Sequence, residues 1–429
     1  MSKDCEILNR FLEEIHEEKC VFKVSKEVVN DLKEAVEELV RKFVHKVSFA
    51  TAYPLFSGSK ILSRGSFYEG TKVEEPNEFD FLVELDVLSQ PGRVGFRSEC
   101  LDCPGYTHVL FTDPELQRMN AELESSPKDN FLRPYTISSY YRRCLEEAYR
   151  KLFTGSWCRP DDVRIDKGCG FLRLQEHIST NWGPNTLVKL VWTTKTLPDD
   201  NILKCIVLTV DITPAIVYRP PECNPDSAGA DKHCHVVPAR NDICKHGSST
   251  ICCCWRISHS SEETEKMRSL SDVHKKIYKI FKVVCRKRII DGPLRSLTSY
   301  MLKTAVLHHT ETCDSNSSIG ACTMKILEEL LTFAQQEYLP DYFIPEQNVW
   351  AKQNENDVVS PVPIIEKLIL EFKSIAGCAV EDYDFGQLFK YFDMLKEELA
   401  MIEANLFSAS HSTLPDLAEV NPADDTNSG

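Results

Sequence analysis

The hydrophobic period changes at Trp255, and that change constrains the fold more than any other feature of the chain. Before it, short runs rich in Val, Ile, Leu and Phe (79–86, FDFLVELD; 187–195, LVKLVWTTK; 202–212, ILKCIVLTVDI) read as buried strands. After it, SDVHKKIYKIFKVVCRKRII, LTSYMLKTAVLHH, CTMKILEELLTFAQQEYL and VVSPVPIIEKLILEFKSI read as successive helices, with a last one near FGQLFKYFDMLKEELAMIEANLF. The expected class is α+β in two lobes: a mixed sheet in front, a helical bundle behind.

Two helices interrupt the front half. Over 25–47 the apolar residues Val28, Val29, Leu32, Val36, Leu39, Val40, Phe43, Val44 and Val47 recur at intervals of three and four, with Ser25 as N-cap and Glu27 in the first turn. Its last turns carry Arg41, Lys42, His45 and Lys46, either a solvated end that complements the helix dipole or a surface for a polyanion. A second amphipathic helix covers 138–153. Residues 219–250 have no sustained period and read as a long loop or insertion. The expected divisions are an N-terminal segment (1–24), a core with the long spine helix (25–225), a Cys/His-containing loop (226–254), a helical lobe (255–408) and a disordered acidic tail (409–429).

With 429 residues, 42% apolar and 27% charged, the chain can bury a large core. Acids interrupt its first thirty residues, so no secretory or transit segment is read there. No uncharged apolar run reaches the roughly 18 residues that span a bilayer, and a cytoplasmic protein without membrane contact is expected. Its 18 cysteines then read as reduced thiols. Cys100 and Cys103 form a lone C-x-x-C. His233, Cys234, His235, Cys244, His246 and Cys252 to Cys254 form a looser group whose spacing fits no standard zinc finger. Net charge is −15, and residues 1–410 alone carry −11, so any polyanion site must be a local basic surface.

The chemistry-bearing stretch is GSFYEGTKVEEPNEFDFLVELD, residues 65–86. Glu78 and Asp80 share one face of a strand, where they repel unless a cation lies between them. On an exposed edge such a pair would simply face water. Three features argue otherwise: the Gly65-Ser66 pair upstream, whose amides and hydroxyl suit phosphates; a third acid, Asp211, inside the apolar run LTVDIT; and the cost of burying that acid unpartnered. Oxygen ligands alone suit Mg²⁺ or Mn²⁺, and a pair of such ions suits phosphoryl transfer.

Gly-Ser, then E-x-D on a strand, then a distant Asp is the nucleotidyltransferase pattern. Together with LTVDITPAI, CWRISHS, LTSYMLKTAVLHH and YLPDYFIPEQNVW, in order and spacing, it resembles cyclic GMP-AMP synthase and its invertebrate relatives, the cGAS-like receptors of the Mab-21 superfamily, over roughly 25–405. The resemblance implies a bilobed nucleotidyltransferase fold. It implies metal binding by Glu78, Asp80 and Asp211, with Asp211 also helping to deprotonate the attacking ribose hydroxyl. Gly65 and Ser66 would hold a triphosphate, and Lys279 would touch it. Tyr300 would stack on a base flanked by Ser299 and Lys303, and Arg256 and Ser258 would read the edge of the other base. The implied substrates are ATP, GTP or other nucleoside triphosphates, with two Mg²⁺ or Mn²⁺ ions, and the implied product is a cyclic dinucleotide read by a downstream receptor in innate immunity. The vertebrate enzyme's zinc ribbon is not expected here, because residues 256–290 offer only His259, His274 and Cys285. That favours double-stranded RNA over DNA as trigger, bound near Arg41, Lys42, Lys46, Lys275 and Lys276 by phosphate and groove shape, with a possible ligand-induced homodimer. From Trp255 to Lys303 there are twelve Lys or Arg against five acids. The alternatives are a non-catalytic Mab-21-like binding protein and a linear oligoadenylate-type synthetase.

Overall fold

Twenty-one helices and strands and one 3₁₀ turn are seen in a computed structural model that describes residues 4–48, 54–97, 104–123, 130–153, 164–174, 186–195, 205–219, 234–238, 253–285, 297–314, 317–350 and 360–377, with short pieces at 394–395, 397 and 401–402. The front half runs α1 (Asp4–Lys19), α2 (Lys26–Ser48), the 3₁₀ turn (Pro54–Phe56), β1 (Gly58–Arg64), α3 (Gly65–Tyr68), β2 (Glu78–Leu85), α4 (Asp86–Ser89), β3 (Val94–Arg97), β4 (Tyr106–Phe111), α5 (Pro114–Leu123), α6 (Pro134–Phe153), β5 (Arg164–Asp166), β6 (Gly170–Leu174), β7 (Thr186–Thr194), β8 (Cys205–Tyr218), β9 (Cys234–Pro238) and β10 (Cys254–Ser258). The rest is helical: α7 (Ser260–Ser269), α8 (Asp272–Val284), α9 (Ser299–Thr312), α10 (Ile319–Gln335) and α11 (Val362–Ala376).

The sheet has ten strands in the order β3-β4-β10-β9-β8-β7-β6-β5, with β2 on the other edge of β8 and β1 outside β2. Only β2 and β8 run parallel; every other pair is antiparallel. Strand β8 is long enough to pair with β7 through its first half and with β9 through its end, while β2 lies along its middle. Burial alternates through the first half of β8: Ile206, Leu208, Val210 and Ile212 face the core, and Val207, Thr209 and Asp211 face out. Strand β2 does the same, with Phe79 and Phe81 inward and Glu78 and Asp80 outward. Helix α2 packs its stripe from Val28 to Val47 into the inward core, capped by Ser25 Oγ, which accepts from Val28 N at 3.3 Å. The predicted spine helix and mixed sheet are therefore present, and the α+β class holds.

Three boundaries differ from the sequence reading. The N-terminal segment contains α1, whose Ile7, Leu8, Phe11, Leu12 and Ile15 complete the helical lobe's core, although it precedes the sheet in the chain. The stretch 226–254 contains β9, in which His235 is buried and bonded to Glu84 at 2.9 Å. Trp255 closes the sheet lobe instead of opening the helical one: it is buried in the core around α2, and its indole N–H donates to the Leu132 carbonyl at 2.8 Å. Cys100, Cys103, His233, Cys244, His246 and Cys252, most of the last predicted helix and the tail lie outside the described residues.

Candidate active site

The outward rows of β2 and β8 form one wall of a cleft of about 540 Å³, and α8 and α9 form the other. In the parallel ladder Asp80 stands opposite Asp211, and Glu78 opposite Thr209. Two in-register residues on parallel strands point to the same face, so the three acids share one face of the sheet; Glu78 and Asp80 line the cleft, and Asp211 stands beside Asp80. Burial, with the neighbouring charges of Glu78 and Asp211, pushes the Asp80 carboxyl up to about 7. A carboxylate held so far from its ordinary range lacks compensating positive charge, and an oxygen-only donor set of three acids suits a hard divalent ion. Lys72 is the one nearby cation that opposes the shift, and its ammonium is paired with Glu78 at 2.6 Å. Thr213 Oγ1 donates to Asp211 Oδ1 at 3.4 Å.

The Gly65-Ser66 turn sits against Asp80. Strand β1 ends at Arg64, directly across from Asp80, and Gly65 then takes a φ of +75°. A Cβ there would fall 1.9 Å from Asp80 Oδ2, so the close approach needs glycine twice over, for conformation and for space. Phe67 packs on Phe79 with ring centroids 4.3 Å apart, pinning the turn to β2. The Ser66 carbonyl accepts from Thr71 N at 2.9 Å, and Ser66 lines the cleft.

From the opposite wall come Tyr278 and Lys282 of α8 and Ser299, Tyr300 and Lys303 of α9. Tyr300 keeps an exposed ring face, 37% accessible, while its hydroxyl donates to Asp341 Oδ2 at 2.6 Å. Asp341 also accepts from the amides of Phe343 and Ile344, so the turn at 341–344 holds the ring in place.

The two lysines expected at the site are placed differently: Lys303 lines the cleft and Lys279 does not. Lys279 lies on the α1 side of α8, close to Cys20 and His16, and does not line the cleft. Lys282, three residues on, does, one turn from Tyr278 on the same face. Burial, with Lys72 and Lys303 nearby, lowers the Lys282 ammonium to about 8, and it donates to the Thr71 carbonyl at 3.2 Å. Lys303 reaches the cleft edge, but its ammonium is buried between Glu69 (2.9 Å) and Glu263. Burial alone would lower it; Tyr278, Glu263 and Glu69 hold it above the ordinary lysine value. Lys72 and the Glu69–Lys303–Glu263 triad had no signal in the sequence. Lys282 did: its four-residue spacing from Tyr278.

Arg256 and Ser258 lie on β10, outside the residues lining the cleft, with the Arg256 charge acting on Tyr300. The cations proposed for a duplex divide between the lobes. Arg41 and Lys42 are exposed on α2, Arg41 donating to the Glu37 carbonyl and Lys42 pairing with Glu38 at 2.7 Å; Lys46, also on α2, is half-buried. On α8, Lys275 donates to the Arg268 carbonyl and Lys276 pairs with Glu13 at 2.6 Å.

A trio of sheet carboxylates under a glycine-serine turn, facing helices across a polar cleft, is the arrangement of the nucleotidyltransferase superfamily. The Mab-21 protein nucleotidyltransferase domain matches residues 67–269, and the Mab-21 protein HhH/H2TH-like domain matches residues 273–366. The chain belongs to the Mab-21 family. It is similar to a cyclic GMP-AMP synthase-like receptor of Tribolium castaneum, 23% identical over 339 residues covering 75% of this chain and 79% of the relative. It is also similar to cyclic GMP-AMP synthase-like receptor 3 of Stylophora pistillata, 22% identical over 338 residues covering 76% and 85%. Among the described residues no helix is long and apolar enough to cross a membrane.

Proposed function

We propose that this chain is a cytoplasmic sensor that, on binding a double-stranded nucleic acid, RNA in preference to DNA, links two nucleoside triphosphates into a cyclic dinucleotide. The observation that carries the reading is the side-by-side placement of Asp80 and Asp211, with Glu78 on the same face and Gly65 packed against Asp80. Glu78, Asp80 and Asp211 would hold two Mg²⁺ or Mn²⁺ ions, which when bound supply Lewis-acid activation and neutralise phosphate charge. The Ser66 turn and the Lys282 ammonium bind and orient the triphosphate. Tyr300 offers its ring face to a base, and Ser299 lies beside it. Asp211, oriented by Thr213, takes the proton of the attacking ribose hydroxyl. That oxygen forms a bond to the α-phosphorus, the bond to the bridging oxygen breaks, and pyrophosphate leaves; a second transfer in the opposite sense closes the ring. Arg256 and Ser258 would read the second base. The product would act through a downstream receptor, and duplex binding would pair two copies of the chain.

The test is mass spectrometry of the products made by the purified chain with Mn²⁺ or Mg²⁺ and all four triphosphates, with duplex RNA, duplex DNA or neither, at two salt concentrations. A cyclic dinucleotide that depends on duplex RNA, and is lost in Glu78→Ala and Asp80→Ala, is expected. Linear oligomers would instead indicate a linear synthetase, and absence of product under every ligand a non-catalytic binding protein.

A further inference from the structure

Four metal-binding side chains converge in the helical lobe, away from the cleft. His274 stands in the first turn of α8, His309 in the last turn of α9, Cys313 caps that helix, and Cys322 lies in the first turn of α10. One ligand atom from each lies within 4.8 Å of all the others, and three of the four residues are buried. The two sulfurs are 3.5 Å apart, close to the roughly 3.8 Å between two thiolates that share a tetrahedral zinc at Zn–S of about 2.3 Å.

The imidazoles show what is missing. Their centroids are 5.5 Å apart. His274 Nδ1 is held by Ser271 Oγ at 2.8 Å, which leaves its buried Nε2 without a hydrogen-bond partner. His309 has a side chain only 1% exposed, and both of its ring nitrogens are buried without a hydrogen bond. The Glu329 carboxylate lies 3.4 Å from His309 Nδ1, where a second-layer acid orients a metal-bound imidazole. Buried nitrogens are rarely left unpaired, because each forgoes its bond to water, and here one nitrogen of each ring lies within 4.8 Å of both sulfurs.

We infer that His274, His309, Cys313 and Cys322 form a structural zinc site. Two imidazoles and two thiolates are a borderline-soft, tetrahedral donor set, which suits zinc over the hard ions that fit the carboxylates of the cleft. Two thiolates also neutralise the ion, as burial requires. The site is unrelated to a ribbon inserted in one loop: its ligands come from three helices, and the ion ties α8 and α9, the cleft's helical wall, to α10. A second group, Cys234, His259 and Glu262, differs, because its imidazole is already bonded, His259 Nδ1 lying 3.1 Å from Cys234 Sγ and 2.7 Å from Glu262.

The test is the metal content of the full chain, measured by plasma mass spectrometry after purification without chelator and again after dialysis against zinc. About one zinc per chain is expected in the parent and in Cys234→Ser, falling at least tenfold in Cys313→Ser and Cys322→Ser. A chelator should lower the melting temperature of the parent and leave that of Cys313→Ser unmoved. Cobalt(II) loading of the unaltered chain, read by its tetrahedral d–d bands and thiolate charge-transfer absorption, gives an answer even if the variants fail to fold. Zinc retained in both cysteine variants, a cobalt spectrum without thiolate bands, or a Cys313–Cys322 disulfide in protein kept reduced would each overturn the assignment.

Discussion

Asp80 and Asp211 stand directly opposite one another on the only parallel strand pair of the described sheet. Each lies on the outward row of its strand, so the ladder register brings the two carboxylates together. If both ions of the proposed mechanism bind there, Asp80→Asn should reduce product formation about a thousandfold or more, since several kcal/mol of transition-state stabilisation would be lost and each 1.4 kcal/mol is tenfold. Without divalent ions the same variant should melt higher than the parent, because one of three crowded anions is gone. Thermal scans with a chelator and with Mn²⁺ check this: the order of the two melting temperatures should reverse between the conditions.

Gly65→Ala should be more damaging than an alanine in an ordinary turn. Its Cβ would fall 1.9 Å from Asp80 Oδ2, at a φ of +75°. The left-handed backbone alone costs roughly 1 kcal/mol, and moving Asp80 by even an ångström should lower kcat about a hundredfold. Chemical denaturation and single-turnover kinetics on the folded variant would separate the two effects.

Lys303 offers a test of role. A lysine that only touches nucleotide could be replaced with little loss of stability. Here Lys303→Met would strand Glu69 and Glu263 in the interior and should cost about 3–5 kcal/mol of folding stability. The triple change with Glu69→Gln and Glu263→Gln should recover most of that loss. Urea unfolding of the single and triple variants reads it directly.

Lys282 sets a pH dependence. Its ammonium titrates at about 8 in the folded chain, below the ordinary lysine value. Between those two values the unfolded chain binds more protons than the folded one, so this residue's contribution makes stability rise with pH there. At neutral pH the buried charge is a standing penalty, and Lys282→Met should therefore raise the melting temperature of the nucleotide-free protein. Triphosphate affinity should behave oppositely, falling as pH climbs from 7 to 9 and losing that dependence in the variant. Calorimetry in buffers of different ionisation enthalpy should show proton uptake on binding near pH 8.

Much of the lobe architecture was legible because it is written in short-range period. The three- and four-residue spacing over 25–47 and the alternation around Glu78 and Asp80 need only neighbouring residues, and the structure has the helix and the strand there. Helix α1 carries the same kind of spacing at Ile7, Leu8, Phe11, Leu12 and Ile15, but Glu13 and Glu14 interrupt the apolar run that marks it. Strand β9 and the strand role of WRIS were hidden for another reason: each is five residues long and gains its stability from partners far along the chain.

The sequence by itself determined which residues lie on which face of each long element, and so which acids could share a site. Only the tertiary structure decided the register that sets Asp211 beside Asp80, the choice of Lys282 over Lys279, the sequestering of Lys303 between two glutamates, and the meeting of His274, His309, Cys313 and Cys322. Period is dictated by backbone geometry within a few residues. Pairing of charges and donors across elements depends on which buried surfaces pack together, and that is settled only when both cores close.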